Sequence, residues 1–255
     1  MPLKVMVMEN SEQVSDFAAT QVLRNVNSNP KAVLGLPTGS TPLGMYKTLV
    51  DMHKQGLISF RDVTTFNLDE YVGLNPQDTN SYHYYMYENF FRHVDISEMN
   101  IHIPDGNAPD LEGECRCYEH AIEDKGGIDL MLLGLGVNGH IGFNEPGPWF
   151  SSVTHKVDLD KSTIEANARF FKSVSEVPTS ALTMGIGSIM RSRRIILLAT
   201  GDAKKFAVRN SIVCPITPQV PASILKLHPN ATFVLDKDAA SLLDFLTEAY
   251  GGMNK

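Results

Sequence analysis

Ile128-Asp129-Leu130-Met131-Leu132-Leu133, running directly into Gly134-Leu135-Gly136-Val137-Asn138-Gly139-His140-Ile141-Gly142-Phe143-Asn144-Glu145-Pro146, is the stretch from which the fold can be read. Its first half is a short apolar run, as expected for a strand buried inside a layer of sheet. Glycines then free the backbone, and His140 stands between the amide of Asn138 and the carboxylate of Glu145. An imidazole of near-neutral pKa, with polar neighbours to fix its tautomer, is the usual means of moving a proton. His140 is therefore a candidate catalyst at the end of a strand.

Outward from this segment, strand and helix signals alternate. Leu3 to Met8, Ala32 to Leu36, Val63 to Leu68, Arg194 to Thr200 and Ala231 to Leu235 read as further strands. Val14, Phe17, Ala18, Val22 and Val26 recur at helical spacing within Ser11 to Asn27. Leu43, Tyr46, Leu49, Val50 and His53 mark a second helix, with Thr41 as its expected N-cap and Pro42 at its first position. Leu111 to Glu123, Ala203 to Val208 and Ala239 to Tyr250 also read as helical. This alternation predicts one α/β domain spanning residues 1–255, an open, mostly parallel sheet with helices on both faces in a Rossmann-like three-layer arrangement. Ligands bind such sheets at the carboxyl ends of strands. Residues of about 146–178 show little periodicity at first and form a candidate lid.

Composition narrows the function classes. The chain is 43 % apolar and 20 % charged, and 22 basic against 29 acidic residues leave a net charge of −7. No basic stripe is present, so neither nucleic acid nor an anionic membrane is an expected partner. No apolar stretch approaches membrane-spanning length, and Pro2-Leu3-Lys4-Val5 reads as a strand instead of a signal peptide. The three cysteines are odd in number and unevenly placed, which fits reduced thiols in a cytoplasmic protein. Cys115, Cys117 and His120 resemble a metal cluster, but on a helix Cys115 and Cys117 face different ways, so packing or solvent-facing roles are expected instead.

Three segments could carry chemistry. In Gly35-Leu36-Pro37-Thr38-Gly39-Ser40-Thr41-Pro42, backbone N–H groups, hydroxyls and a helix N-terminus converge, as a phosphate site requires. No Gly-Lys-Ser/Thr closes it, so it is not a nucleotide-triphosphate loop. Gly134 to Gly139 satisfies G-x-G-x-x-G, yet Gly142, Pro146, Gly147 and Pro148 forbid the helix that a dinucleotide site needs, and no ribose-binding acid follows about 20 residues on. Asn67-Leu68-Asp69-Glu70-Tyr71 places consecutive carboxylates at a strand end, where adjacent side chains point oppositely. One can face a cleft while the other takes a structural partner; the period alone leaves open which. An anion cradle, a carboxylate and an oriented histidine suit acid–base chemistry on a small phosphorylated metabolite, by enolisation, ring opening or lactone hydrolysis.

The strings Leu34-Gly-Leu-Pro-Thr-Gly-Ser-Thr-Pro42, Thr65-Phe-Asn-Leu-Asp-Glu-Tyr-Val-Gly-Leu74 and Gly136-Val-Asn-Gly-His-Ile-Gly-Phe-Asn-Glu-Pro146 closely resemble the glucosamine-6-phosphate deaminase family. Ser81-Tyr82, Asn107-Ala-Pro109, Ala168-Arg-Phe-Phe171 and Pro221-Ala-Ser-Ile-Leu225 extend the likeness over nearly the whole chain. The resemblance implies conversion of D-glucosamine 6-phosphate and water to D-fructose 6-phosphate and ammonia, with no cofactor and no metal. It implies Asp69 as the base moving the C2 proton to C1, and His140 as the ring-opening group supported by Asn138 and Glu145. It further places the phosphate on Thr38, Gly39, Ser40 and Thr41, with Arg169 and Lys204 as its cationic partners. Some family members carry aspartate where this chain has Asn138, which leaves Glu145 alone to charge-stabilise His140. The activator-binding segment of allosteric members is poorly matched by Val153-Thr154-His155-Lys156-Val157-Asp158, so activation by N-acetylglucosamine 6-phosphate is not expected. Short members of the family can be monomers and long ones hexamers, so self-association is possible but not required.

Two other readings compete. 6-Phosphogluconolactonase shares the architecture but lacks the Asp-Glu-Tyr-Val-Gly-Leu string and the Phe-Asn-Glu-Pro ending. A sugar-phosphate-sensing regulator would need a helix-turn-helix before the first strand, where the sequence has none.

Overall fold

The structure is a computed structural model that describes residues 3–168, 171 and 173–243. In chain order its strands are β1 (Lys4–Met8), β2 (Val33–Leu36), β3 (Thr64–Asn67), β4 (Asp69–Tyr71), β5 (Ile101–His102), β6 (Leu130–Gly134), β7 (His155–Asp158), β8 (Ser180–Thr183), β9 (Ile195–Ala199) and β10 (Ala231–Asp236). Its helices are α1 (Ser11–Ser28), α2 (Leu43–Lys54), α3 (Tyr82–Asn89), α4 (Leu111–Asp124), α5 (Lys161–Asn167), α6 (Ile186–Met190), α7 (Lys205–Ile212) and α8 (Lys237–Ala240).

Seven strands pair in the order β1-β10-β9-β6-β2-β3-β5, every pair parallel. The alternation of side chains explains the three layers. Leu130 and Leu132 of β6, Ile196 and Leu198 of β9 and Val234 of β10 face one core, with Val14, Val22, Tyr46 and Leu49 of α1 and α2. Met131, Leu133, Ile195, Leu197, Phe233 and Leu235 face the other, with Ile122 of α4, Ile189 of α6 and Val208 of α7. Burial on both faces is why these strands read as continuous apolar runs. Each such side chain contributes roughly 1.5–3 kcal/mol. Short polar caps set the helix starts. Asn10, Ser81 and Asp110 accept from the amides of Gln13, Tyr84 and Gly113.

All six strands expected from sequence form in this sheet, and the expected open, mostly parallel sheet with helices on both faces is found. Several local expectations need correction. Pro42, not Thr41, occupies the N-cap of α2, and no side chain caps that helix. Asp69 and Glu70 do not end β3; the chain turns at Leu68 and opens the separate strand β4. A 3-10 turn over Asp202–Lys204 precedes α7. Of the helix expected from Ala239 onward, only α8 and its following turn are described, and residues 244–255 lie outside the described residues.

The stretch at 146–178 is more regular than its sequence suggested. It holds β7 and α5, and β7 joins β8 and β4 in a second, antiparallel sheet of order β4-β8-β7. Phe143, Tyr71, Leu159 and Ala181 pack beneath it as a small third core. One carboxylate ties this sheet to the main body. Glu119 of α4, buried, accepts from Thr154 N at 2.7 Å, Thr154 Oγ1 at 2.6 Å, Ser188 Oγ at 2.5 Å and Arg191 at 2.7 Å. Among the described residues no helix is long and apolar enough to cross a membrane.

Removing that carboxylate strands several donors in a dry junction. Glu119→Ala should therefore lower unfolding stability by about 2–4 kcal/mol, measured by urea denaturation with an unchanged slope; a loss within ~0.5 kcal/mol would show that the junction does not depend on it.

Candidate active site

The candidate residues stand at the carboxyl ends of four neighbouring parallel strands. In the order β9-β6-β2-β3, Lys204 follows β9, His140 follows β6, the Thr38–Thr41 turn follows β2, and Asp69 follows β3. Connections from β2 and from β6 leave in opposite directions, one toward β3 and the other toward β9. A crevice at such a divergence is where open α/β sheets bind ligands.

His140 is held from several sides. Its Nδ1 lies 3.2 Å from Glu145 Oε2, its backbone N–H donates to Asn138 Oδ1 at 3.2 Å, and Asn138 Nδ2 donates to Glu145 Oε2 at 2.7 Å. Asn138 thus bridges the backbone of the histidine and its carboxylate partner. A carboxylate on Nδ1 requires that nitrogen to donate, which leaves Nε2 as the exchangeable position. Gly136 lies directly against the imidazole, where a Cβ would overlap the ring. Burial pushes the Glu145 carboxyl up, but the His140 hydrogen bond and charge, with Thr163 and Asn138, outweigh it and hold the pKa below the ordinary value.

The neighbouring carboxylates Asp69 and Glu70 divide as adjacent strand positions must. Glu70 accepts the backbone N–H groups of Tyr71 (2.8 Å), Tyr82 (3.0 Å) and His83 (2.8 Å), which fixes the start of α3. Burial raises its pKa against the pull of those three amides. Asp69 is equally buried, and burial, with a smaller push from the Glu70 charge, raises its pKa from 3.8 to about 8. It pairs in register with Thr183, whose hydroxyl accepts from Phe143 N at 3.0 Å. Gly142, at φ +58°, allows the contact: a Cβ there would stand 2.8 Å from Thr183 Oγ1 and 3.4 Å from Asp69 Oδ2. The loop carrying His140 therefore packs directly on Asp69.

The turn after β2 supplies the third part. Tyr85 OH donates to Gly39 O at 2.6 Å, Tyr46 OH donates to Pro37 O at 2.6 Å, and Thr38 lies in hydrogen-bonding reach of Tyr82. Ser40, Thr41, Lys47 and Lys204 line one cleft of about 600 Å³ beside the start of α2, and the carboxylates of Glu12, Asp16 and Asp51 line the same cleft. Only its turn end offers positive contacts to an anion, through the α2 amides that no side chain caps and the Lys204 ammonium. Arg169 lies outside the described residues. Among the described residues, no group of three or more His, Cys, Asp or Glu side chains is placed to hold a metal ion. Cys115 is buried and Cys117 exposed on α4.

Sequence reasoning missed the residues that brace these parts. Thr183 and Thr163 come from short elements with no periodic signal, and Tyr82 and Tyr85 sit on α3, announced only by its Ser81 cap. The G-x-G-x-x-G string ends in a turn closed by Gly139 N to Gly136 O at 3.0 Å, with no helix beginning there.

Comparison with known proteins places the chain in one family. A profile of the family described as glucosamine-6-phosphate isomerases/6-phosphogluconolactonase matches residues 8–234. A glucosamine-6-phosphate deaminase of Thermoanaerobacter pseudethanolicus is 54 % identical over 241 residues, covering 94 % of this chain and 95 % of the relative. One from Halothermothrix orenii is 52 % identical over 94 % of this chain and all of its own length. Among solved structures, a monomeric glucosamine-6-phosphate deaminase superposes with TM-score 0.92 at 49 % identity, over 94 % of this chain and 100 % of that one. A 6-phosphogluconolactonase from Trypanosoma cruzi shares the fold, with TM-score 0.78 at 22 % identity over 94 % and 97 % of the two chains.

The Asp69 shift has a consequence for stability. An unfolded chain releases this proton near 3.8, whereas the folded protein keeps it until about 8. The group's contribution is complete below pH ~4 and is lost as pH rises through about 8. Asp69→Asn, which cannot ionise, should be more stable than wild type by roughly 2–4 kcal/mol at pH 7, with the gap closing toward pH 4. Thermal melts across that range check it; a variant no more stable at pH 7 refutes the unfavourable burial.

Proposed function

The chain belongs to the family of glucosamine-6-phosphate isomerases and 6-phosphogluconolactonases, and we propose that within it the chain acts as a deaminase, converting D-glucosamine 6-phosphate and water to D-fructose 6-phosphate and ammonia. The observation that carries this reading is the packing of the His140 loop onto buried Asp69 at Gly142, with the helix start that no side chain caps following the neighbouring strand β2. Two proton-transfer groups of different chemistry then serve one phosphorylated sugar. The near full-length identity to deaminases, against 22 % to a lactonase, favours this branch of the family.

Each step follows from the groups present. The phosphate docks on the Thr38–Thr41 turn with Lys204, and with Arg169 as a second cation. His140 Nε2 takes the proton of the anomeric hydroxyl and returns it to the ring oxygen, opening the pyranose. Asp69 removes the C2 proton, giving an enolamine, and delivers it to C1. Water then adds at C2 of the resulting imine and ammonia departs. An acid whose pKa burial raises to about 8 has to ionise before it can act as this base. The substrate supplies the means, because its C2 ammonium lies next to the proton being removed, and an opposite charge at that distance lowers a carboxyl pKa. Glu145 stabilises the charge that His140 gains in transit, and Asn138 fixes their geometry. The reaction uses no cofactor, and all the proposed groups come from one chain, so self-association is not required.

Kinetics without allosteric activation are part of the same reading. Thr154 is held by Glu119, and the backbone of Ser152 and Val153 lies against Gly187 and Gly185 so closely that a Cβ on either glycine would collide with it. A segment so anchored has little freedom to respond to an effector.

The test is ammonia release with coupled detection of fructose 6-phosphate. Wild type should turn over hyperbolically and be indifferent to N-acetylglucosamine 6-phosphate. Asp69→Asn should lose on the order of 10²–10⁴ in kcat. Faster hydrolysis of 6-phosphogluconolactone than ammonia release would move the chain to the other branch, and an unimpaired variant would remove Asp69 from the mechanism.

A further inference from the structure

Glu145 has a second oxygen that the loop does not use. Its Oε2 receives Asn138 and His140, whereas its Oε1 receives the hydroxyl of Thr163, a buried residue in the first turn of α5. This hydroxyl is not spent on the helix: the N-cap of α5 is Asp160, and Thr163 reaches it through its backbone N–H, at 3.0 Å. At the far end of α5, Asn167 Nδ2 donates to Tyr71 OH at 2.9 Å, on the strand that begins with Asp69. Between them Ile164 packs against the cluster of Tyr71, Phe143 and Leu159. One short helix therefore touches the carboxylate behind the histidine and the strand of the base.

We propose that Thr163 is a positioning residue for the ring-opening step: its hydroxyl locks the Glu145 carboxylate from the α5 side, so that docking of this helix sets the orientation of His140. The physical reason is the pairing of both oxygens. A carboxylate held through one oxygen can swing about its last torsion, and the unpaired oxygen is then a buried acceptor with an incentive to turn toward water. Held through both, it presents Oε2 to His140 Nδ1 in one orientation, and the imidazole tautomer is fixed with it. The inference rests on the deaminase reading and deepens it. It also gives α5 a catalytic consequence, since loss of its contact loosens the proton-transfer group without touching the phosphate site.

Three variants test this in the full chain. Thr163→Val keeps the shape and removes the donor; kcat for glucosamine 6-phosphate should fall about 10- to 100-fold, the usual worth of a hydrogen bond to a charged group, with KM within about twofold and the melting temperature lowered by only a few degrees. Thr163→Ser keeps the donor and should hold kcat within about threefold of wild type. On a Glu145→Gln background, Thr163→Val should add little further loss, because the two act through one contact. An unaffected Thr163→Val, a Ser variant as poor as the Val variant, or full additivity with Glu145→Gln would each overturn the proposal. Absence of ammonia release by wild type would instead overturn the reading beneath it.

Discussion

The divergence of the chain between β2 and β6 is the constraint from which the rest of the molecule follows. The two strands are adjacent and parallel, but β2 hands on to β3 while β6 leads toward β9. The helices on the way to the next strand of the sheet lie on opposite faces: α2, before β3, belongs to one core cluster, and α6, before β9, belongs to the other. The turn after β2 and the loop after β6 therefore leave adjacent strand ends at the kind of divergence where open α/β sheets bind ligands. The glycines in those turns are consequences of this geometry. Gly136 admits the imidazole against the backbone, and Gly142 lets the loop settle on Asp69.

The second consequence concerns where the chain goes after β3. Leaving the parallel sheet at Leu68, it immediately enters a small antiparallel sheet, with Asp69 and Glu70 as the first residues. Alternation along an extended strand then forces their side chains apart. Glu70 meets the amides at the start of α3, which offset part of the cost of its burial. Asp69 lies against the loop and pairs in register with Thr183, and burial, with the Glu70 charge, raises its pKa to about 8. One backbone rule produces a structural acid and a perturbed acid side by side, and the perturbed one is the one a proton-transfer site requires.

These causes explain which parts of the molecule could be read from the chain. Ile195–Ala199, Leu130–Gly134 and Ala231–Asp236 are buried on both faces, so burial wrote itself into unbroken apolar runs. α1 and α4 carry polar caps and an apolar stripe. His140 was legible because Asn138 and Glu145 are local in sequence, and local partners leave a pattern. The elements that escaped are short and depend on distant partners. β7 has the half-buried alternation of His155–Asp158 but only four residues of it, too few to separate from a loop. Thr163 contacts Glu145 across 18 residues of chain, and Thr183 contacts Phe143 across 40. No period in the sequence encodes such a pairing. Thr41 misled for a different reason: a good capping residue before proline is a local preference, and the turn instead puts Pro42 at the cap and leaves the helix amides without a side-chain partner.

That missing cap belongs with the remaining contacts of the turn. In a protein of net charge −7, long-range attraction does not bring a phosphate dianion to its site, so its binding has to come from groups fixed at close range. The fixing is shared with the base. Glu70, next to Asp69, holds the amides that begin α3, and Tyr85 of that same helix donates to Gly39 O in the turn. In the proposed mechanism, one strut therefore spans the phosphate end and the C1–C2 end of the sugar. Its length sets the separation between the two before any substrate arrives. Holding a reacting carbon and a base at a preset distance removes translational freedom from the proton-transfer step, which is among the larger contributions a protein can make to rate. On this argument the tyrosines and Glu70 matter to the chemistry without touching a reacting atom, because the binding energy of the phosphate reaches Asp69 only through a scaffold that does not yield.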